Sequence, residues 1–330
     1  MKIKSLNLLL CLLLFPVSAT FSACAASSVA SSAAAEEQVL LFSFFKEPNG
    51  RDGLHLATSE DGINWSELND GKSFLVPCVG KDSLMRDPSI CQGPDGLFHM
   101  VWTSSWKSTS IGYASSKDLI HWSEQRDLPV MQHDPSTKNC WAPEIYYDDR
   151  SKMFYIVWAS SVDSNPEAPN KDGNNHRLFE VHTKDFQTFS PARLMYSPPS
   201  MTVIDGCFLK KGDTYYMFAK NEDKGAASPM KYIYMTSADS FLGSYPTEKS
   251  YGEWKISPEW VEGPSVFEWK GEVFLIYDKY RSKQYGAIRS KDMKNWSKEE
   301  VLTIPRGLRH GTVFKAPASV LRTIRKQGGL

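Results

Sequence analysis

The chain has 330 residues and sets 38 Lys and Arg against 38 Asp and Glu, so its formal net charge is zero. It is 41% hydrophobic and 23% charged, with 21 Gly and 19 Pro, a composition that can bury a core and is neither disordered nor collagenous. The absence of a basic run argues against a nucleic-acid partner, and no apolar stretch beyond residue 40 reaches the roughly 18 residues that a membrane helix needs.

Lys2 and Lys4 precede an apolar run from Leu6 to Val17, followed by small residues and Cys24. This order predicts a secretory signal over residues 1–24 rather than a membrane span. Phe21-Ser22-Ala23-Cys24 resembles a bacterial lipobox, in which Cys24 becomes the lipidated first residue. Ordinary cleavage near Ala35 is the alternative. The Ala- and Ser-rich residues 25–37 then form a flexible tether, and 38–325 form one domain. Export would place the protein in the periplasm, on the outer membrane through a lipid on Cys24, or outside the cell. A monomer is expected. The remaining cysteines, Cys78, Cys91, Cys140 and Cys207, match no zinc spacing. They read as small buried hydrophobes, with one disulfide allowed in an oxidising compartment.

Five segments repeat a Ser or Thr, one residue, an Asp and then an aromatic: Ser59-x-Asp61 to Trp65, Ser116-x-Asp118 to Trp122, Thr183-x-Asp185 to Phe189, Ser237-x-Asp239 to Tyr245 and Ser290-x-Asp292 to Trp296. Each follows an alternating, strand-like stretch, and the aspartates are 57, 67, 54 and 53 residues apart. Such a period with strand units, in a chain holding 10 Trp, 14 Tyr and 17 Phe, predicts an all-β, five-bladed β-propeller. The five aspartates read as turn caps, not reactive groups. Asn64-Trp65-Ser66 and Asn295-Trp296-Ser297 belong to the same turns.

A second set of five runs out of phase with the first. Arg86-Asp87-Pro88-Ser89-Ile90, Trp141-Ala142-Pro143-Glu144-Ile145, Ile204-Asp205-Gly206-Cys207-Phe208 and Val261-Glu262-Gly263-Pro264-Ser265 each lead an apolar strand. Leu308-Arg309-His310-Gly311-Thr312 opens the last one. If each opens the innermost strand of a blade, Asp87, Glu144, Asp205, Glu262 and His310 converge on the axis. Residues Val39 to Leu68 supply outer strands without an inner one, and the C-terminal segment supplies the reverse. The ring is therefore expected to close by pairing N- and C-terminal strands.

Carboxylates crowded at one channel push their pKa values apart, as glycoside hydrolysis requires of its acid and its base. The five phrases, in this order, resemble glycoside hydrolase family 43, the five-bladed propeller glycosidases. Arg86-Asp87-Pro88-Ser89-Ile90 looks like its general-base motif, Trp141-Ala142-Pro143-Glu144 its Trp-Ala-Pro-Asp motif with Glu in place of Asp, and Val203 to Phe208 the segment of its third carboxylate. Val261-Glu262-Gly263-Pro264 looks like its general-acid segment, and His310-Gly311-Thr312-Val313 its last-blade histidine segment. The resemblance implies an inverting enzyme. Asp87 would deprotonate the attacking water, Glu262 would protonate the leaving oxygen, and Asp205 would orient Glu262 and raise its pKa. Asp87 and Glu262 should then stand roughly 6.5–9.5 Å apart. Glu144 takes a structural or binding role. Gly206, where relatives often carry Pro, leaves the entry to its strand less rigid. His310 either ligates an axial ion such as Ca2+ or a water, or stacks as a neutral ring under the sugar; no cofactor is required.

Trp106, Trp141 and Trp260 are candidates to stack on sugar, and Arg86 and Arg309 to contact hydroxyls or steady a carboxylate. The expected partner is an oligo- or polysaccharide, and the expected activity an exo-acting α-L-arabinofuranosidase or β-xylosidase. One rival is a family 32-type fructan hydrolase, which shares an Arg-Asp-Pro motif but wants Asp where this chain has Glu47. Another is a catalytically inactive sugar-binding propeller. Sugar and linkage rest with loops such as 161–175.

Overall fold

The computed structural model describes residues 36–166, 174–199, 201–223, 231–248 and 254–327. The signal and lipobox, nearly all of the tether and the middle of loop 161–175 lie outside the described residues. Among the described residues no helix is long and apolar enough to cross a membrane.

The chain opens with β1 (Gln38–Lys46), β2 (His55–Ser59) and β3 (Ser66–Glu67). Four runs of four strands follow. The first comprises β4 (Arg86–Gln92), β5 (Phe98–Thr103), β6 (Ile111–Ser116) and β7 (Arg126–Leu128); the second β8 (Trp141–Asp148), β9 (Met153–Ser160), β10 (Arg177–Thr183) and β11 (Arg193–Tyr196). The third is β12 (Val203–Lys211), β13 (Thr214–Asn221), β14 (Tyr232–Ala238) and β15 (Lys255–Glu259); the fourth is β16 (Glu262–Trp269), β17 (Glu272–Lys279), β18 (Gln284–Ser290) and β19 (Glu300–Val301). β20 (Leu308–Pro317) and α1 (Ala318–Gln327) end the chain.

Each run of four is one antiparallel sheet in sequence order, and the fifth sheet has the order β20-β1-β2-β3. The closing ladder is long, from Gln38 opposite Pro317 to Lys46 opposite Leu308. The protein is a five-bladed β-propeller closed by its two ends, as the sequence predicts.

A blade is covered on both faces by its neighbours, so its middle strands read as apolar runs rather than alternating ones. All six residues of β5, Phe-His-Met-Val-Trp-Thr, are buried. The apolar core accordingly divides into five clusters, each shared by two adjacent sheets, and together they complete the circle. The Ser-x-Asp repeats are the expected turn caps. Asp61 Oδ1 accepts from the N–H groups of Ile63 and Asn64 at 2.8 Å, and Asp118 and Asp292 do the same in their own turns. Asn64 and Asn295 donate their amides to Asp61 and Asp292, so both sequons are turn chemistry here. The fourth copy departs from the pattern: with its longer gap, among the described residues the Asp239 carboxylate accepts only a long bond from Ser240.

All four described cysteines are free thiols. Cys140 and Cys207 are buried as expected, but Cys91 is half-buried and Cys78 exposed. Cys78 follows no strand and lies in the link between blades, where nothing packs over it.

Candidate active site

The five innermost strands share one irregularity. The ladder slips between Arg86 and Ser89, Trp141 and Glu144, Ile204 and Cys207, and Glu262 and Ser265. In the closing blade Phe44 faces Gly311 while Phe45 faces Arg309, so His310 is skipped. Every blade thus carries a β-bulge at its channel end, and bulges re-aim side chains out of the ladder. Four bulged residues stand in the left-handed region: Asp87 (φ 53°), Ala142 (φ 44°), Asp205 (φ 53°) and Gly263 (φ 57°). Two of the four, Asp87 and Asp205, are acidic, and backbone strain of this kind tends to collect at functional sites.

This register corrects the sequence alignment of the five axis residues. The equivalent residues are Asp87, Ala142, Asp205, Gly263 and His310, so Glu262 precedes its bulge and Glu144 follows its own. Glu144 belongs with Ser89, Cys207, Ser265 and Thr312, a layer further along each strand. The Pro and Gly beside each polar residue mark the bulge, but a linear pattern does not say which neighbour it projects. The other four predicted residues nonetheless surround His310: Asp87 contacts it, and Glu144, Asp205 and Glu262 lie within reach of its charge.

Asp87 Oδ1 lies 3.1 Å from His310 Nδ1, and its Oδ2 accepts the Thr103 hydroxyl proton at 2.9 Å. The same hydroxyl accepts the N–H of Ala142 at 2.8 Å, which ties two blades together beneath the carboxylate. Burial alone would raise the Asp87 pKa, but the His310 charge, its hydrogen bond and Arg86 outweigh it, so the carboxyl stays ionised. Burial likewise opposes a charged His310, yet Asp87 and Asp205 overcome it and lift the imidazole to about 9. His310 is therefore an imidazolium at neutral pH, not the neutral stacking ring. Its Nδ1 is committed to Asp87, and among the described residues no three His, Cys, Asp or Glu side chains are arranged to hold a metal.

Asp205 Oδ2 accepts the N–H of Gly263 at 3.0 Å, which locks it to the residue after Glu262. Burial raises its pKa against the charges of His310 and Lys220, and Glu262 and Asp87 raise it further. Gly263 is required here twice over: its φ is left-handed, and a Cβ would stand 2.5 Å from the His310 ring. At Gly206 a Cβ would meet Leu178 at 2.7 Å, so packing from the neighbouring blade accounts for the small residue.

Glu262 overturns one expectation. Its Oε2 accepts from Lys220 Nζ and its Oε1 from Arg309 Nη2, both at 3.0 Å. Burial would raise its pKa, but Lys220 first and Arg309 next bring it below the usual carboxylate value. Arg309 is itself clamped, donating to Asp278 at 2.6 Å and to Glu47 at 2.7 Å. Asp278 is lifted by burial to about 6 despite Arg309. Lys220 and Asp278 went unmarked in the sequence, as did Thr103. Each is the first polar residue after the apolar run of a second strand (Val-Trp-Thr103, Phe-Ala-Lys220, Ile-Tyr-Asp278), opposite the start of the bulge on the first strand.

Glu144 accepts the Thr312 hydroxyl proton at 3.0 Å. Burial lifts its pKa to about 7, with Ser89 and Thr312 only partly offsetting it. A carboxyl raised from 4.5 to about 7 on folding stabilises the fold below pH 4.5 and loses that contribution as pH rises through about 7. Glu144→Gln keeps the shape without the buried charge. It is expected to unfold at higher temperature than the parent at pH 8, by an amount worth on the order of 2 kcal/mol, and to match it at pH 4. A pH series of thermal melts checks this; a variant less stable at pH 8 contradicts it.

Trp106 and Trp141 form one wall, edge to face at 5.8 Å, with Trp141 Nε1 donating to the Trp106 carbonyl at 2.9 Å. Trp106 is 41% exposed, and Arg86 lies over it at 4.6 Å while covering Phe45 at 4.5 Å on its other side. Arg86 is thus held between two aromatic rings, lies 3.9 Å from Glu47 Oε1 and bears on Asp87 through its charge. Trp260 borders Glu262 in a cavity of about 450 Å³, with the Arg281 guanidinium 3.2 Å from its ring centre. Arg281 thus covers one face of the Trp260 indole.

Residues 37–319 match the family model described as a probable glycosyl hydrolase domain related to family 43. An α-L-arabinofuranosidase of Bifidobacterium longum is 24% identical over 225 residues, 61% of this chain and 21% of the relative. The chain thus spans about a fifth of that protein's length. Among solved structures, an exo-β-1,3-galactanase from Clostridium thermocellum superposes with a TM-score of 0.50 at 14% identity, covering 68% of this chain and 50% of the other. An α-L-arabinofuranosidase from Lactobacillus brevis gives 0.49 at 18% identity over 67% and 73%. At 14% identity the galactanase structure speaks for the fold alone. The family match spans most of the chain and contains all five bulges, and by it the chain belongs to the probable glycosyl hydrolases related to family 43.

Proposed function

We propose that the protein is an exported, inverting exo-glycosidase that removes terminal arabinofuranosyl or xylosyl units from plant-type polysaccharide. The observation that carries the reading is that Asp87, Asp205 and Glu262, from three blades, meet around one imidazolium. Asp87, kept ionised by His310, accepts a proton from the attacking water. Glu262, which must first take up a proton as bound substrate loosens its contacts with Lys220 and Arg309, delivers that proton to the leaving oxygen. Asp205 holds the Gly263 N–H and thereby fixes the backbone on which Glu262 stands. Two carboxyls with a water between them give inversion.

A screen of aryl α-L-arabinofuranosides and β-D-xylosides, with the first-formed anomer read by NMR, tests this. Turnover with inversion is expected; no turnover across the panel refutes the reading. Retention would instead favour the fructan-hydrolase type of chemistry. One observation supports that second reading: Glu47 reaches the site through its bond to Arg309. Export rests on the N-terminal segment, and a diacylglycerol adduct on Cys24 is expected in the intact mass of membrane-fraction protein. Its absence would leave ordinary signal cleavage.

A further inference from the structure

The cavity beside Glu262 is lined by Lys220, Lys231 and Arg281, with Glu222, Trp260 and Tyr280 completing the wall. Three cations therefore face two carboxylates. Glu222 is shared between Lys220, at 2.8 Å, and Lys231, and Glu262 serves Lys220 and Arg309. Arg281 is exposed and, among the described residues, has no acidic side chain within ion-pair distance. Its one contact is the indole of Trp260. A guanidinium stacked over an indole can keep N–H donors free at its edge, and that fork suits two oxygens of one anion. A neutral sugar offers this cationic wall no charge to pair with, and one face of the indole is already covered by Arg281.

We propose that this cavity is a subsite for an anionic sugar, whose uronate carboxylate or sulfate ester is received by Arg281 with Lys220 behind it. Only its place beside the scissile bond rests on the reading of Glu262 as the proton donor. An anion there would compete with Glu262 for Lys220 and loosen the contact that keeps Glu262 ionised. The same charge would then bind the substrate and ready the acid.

The test is equilibrium binding to the full protein, which needs no turnover and so stands apart from the glycosidase reading. Calorimetry would compare 4-nitrophenyl β-D-glucuronide, the corresponding glucoside and its 6-sulfate. The anionic ligands are expected to bind about ten- to a hundredfold tighter than the glucoside. Preference for the glucuronide assigns a carboxylate, and preference for the sulfate ester assigns a sulfated glycan. Arg281→Gln should remove most of the preference, and Arg281→Lys should keep part of it. Equal binding of all three ligands by the unaltered protein, binding of none, or a full preference surviving in Arg281→Gln overturns the proposal. The unaltered protein decides the first two outcomes even if a variant fails to fold.

Discussion

Asp87→Ala is expected to lower kcat/KM on an arabinofuranosyl or xylosyl oligosaccharide by about a thousandfold, the usual worth of a positioned base. Its neighbours are otherwise engaged: Glu262 is held by two cations, Asp205 by a backbone N–H, Asp278 by Arg309 and Glu144 by the Thr312 hydroxyl. Glu262→Ala should cost as much on an oligosaccharide. It should cost much less on a 4-nitrophenyl glycoside, whose leaving group departs without a proton, and this contrast separates acid from base. Neither change touches a cluster of the apolar core, but Asp87→Ala strips His310 of its paired carboxylate and Glu262→Ala removes one of the two that face Lys220, so both variants should melt below the parent while still unfolding cooperatively. Steady-state kinetics on the two substrate types, with melts as controls, check the assignment. Full activity of Asp87→Ala, or an equal loss on both substrates in Glu262→Ala, would remove these roles.

Deleting residues 306–330 should leave a chain that does not fold. The segment carries β20 and α1, and with them five large buried apolar side chains: Leu308, Val313, Phe314, Leu321 and Ile324. At about 2 kcal/mol each they contribute on the order of 10 kcal/mol, as much as a typical domain's whole stability. Loss of β20 would also turn β1 into an open edge beside buried Leu40, Leu41 and Phe42, an invitation to aggregate. A monodisperse, cooperatively melting truncation would contradict closure by the two ends.

The propeller was legible in the chain because each blade is built from local signals. The Ser-x-Asp turns cap their own backbone within a few residues, and the apolar strands between them need no distant partner to be recognised. The bulge motifs were legible too, since Pro and Gly beside a polar residue reflect the left-handed backbone at Asp87, Asp205 and Gly263. Even the ring closure followed from counting strands, because a lone inner strand at one end and lone outer strands at the other can satisfy their hydrogen bonds only on each other.

What the chain order left open is set by distance in space. Which residue of a bulge faces the axis depends on the ladder slip, and this moved Glu144 into a different layer from Asp87. The charge state of Glu262 depends on Lys220, 42 residues away, and on Arg309, 47 residues away, each on a separate blade. The sequence supplied a carboxylate and an expected upward shift. Only the meeting of three blades placed two cations against it and reversed the direction, because a charge–charge interaction acts through the few ångströms between groups and is blind to their separation along the chain.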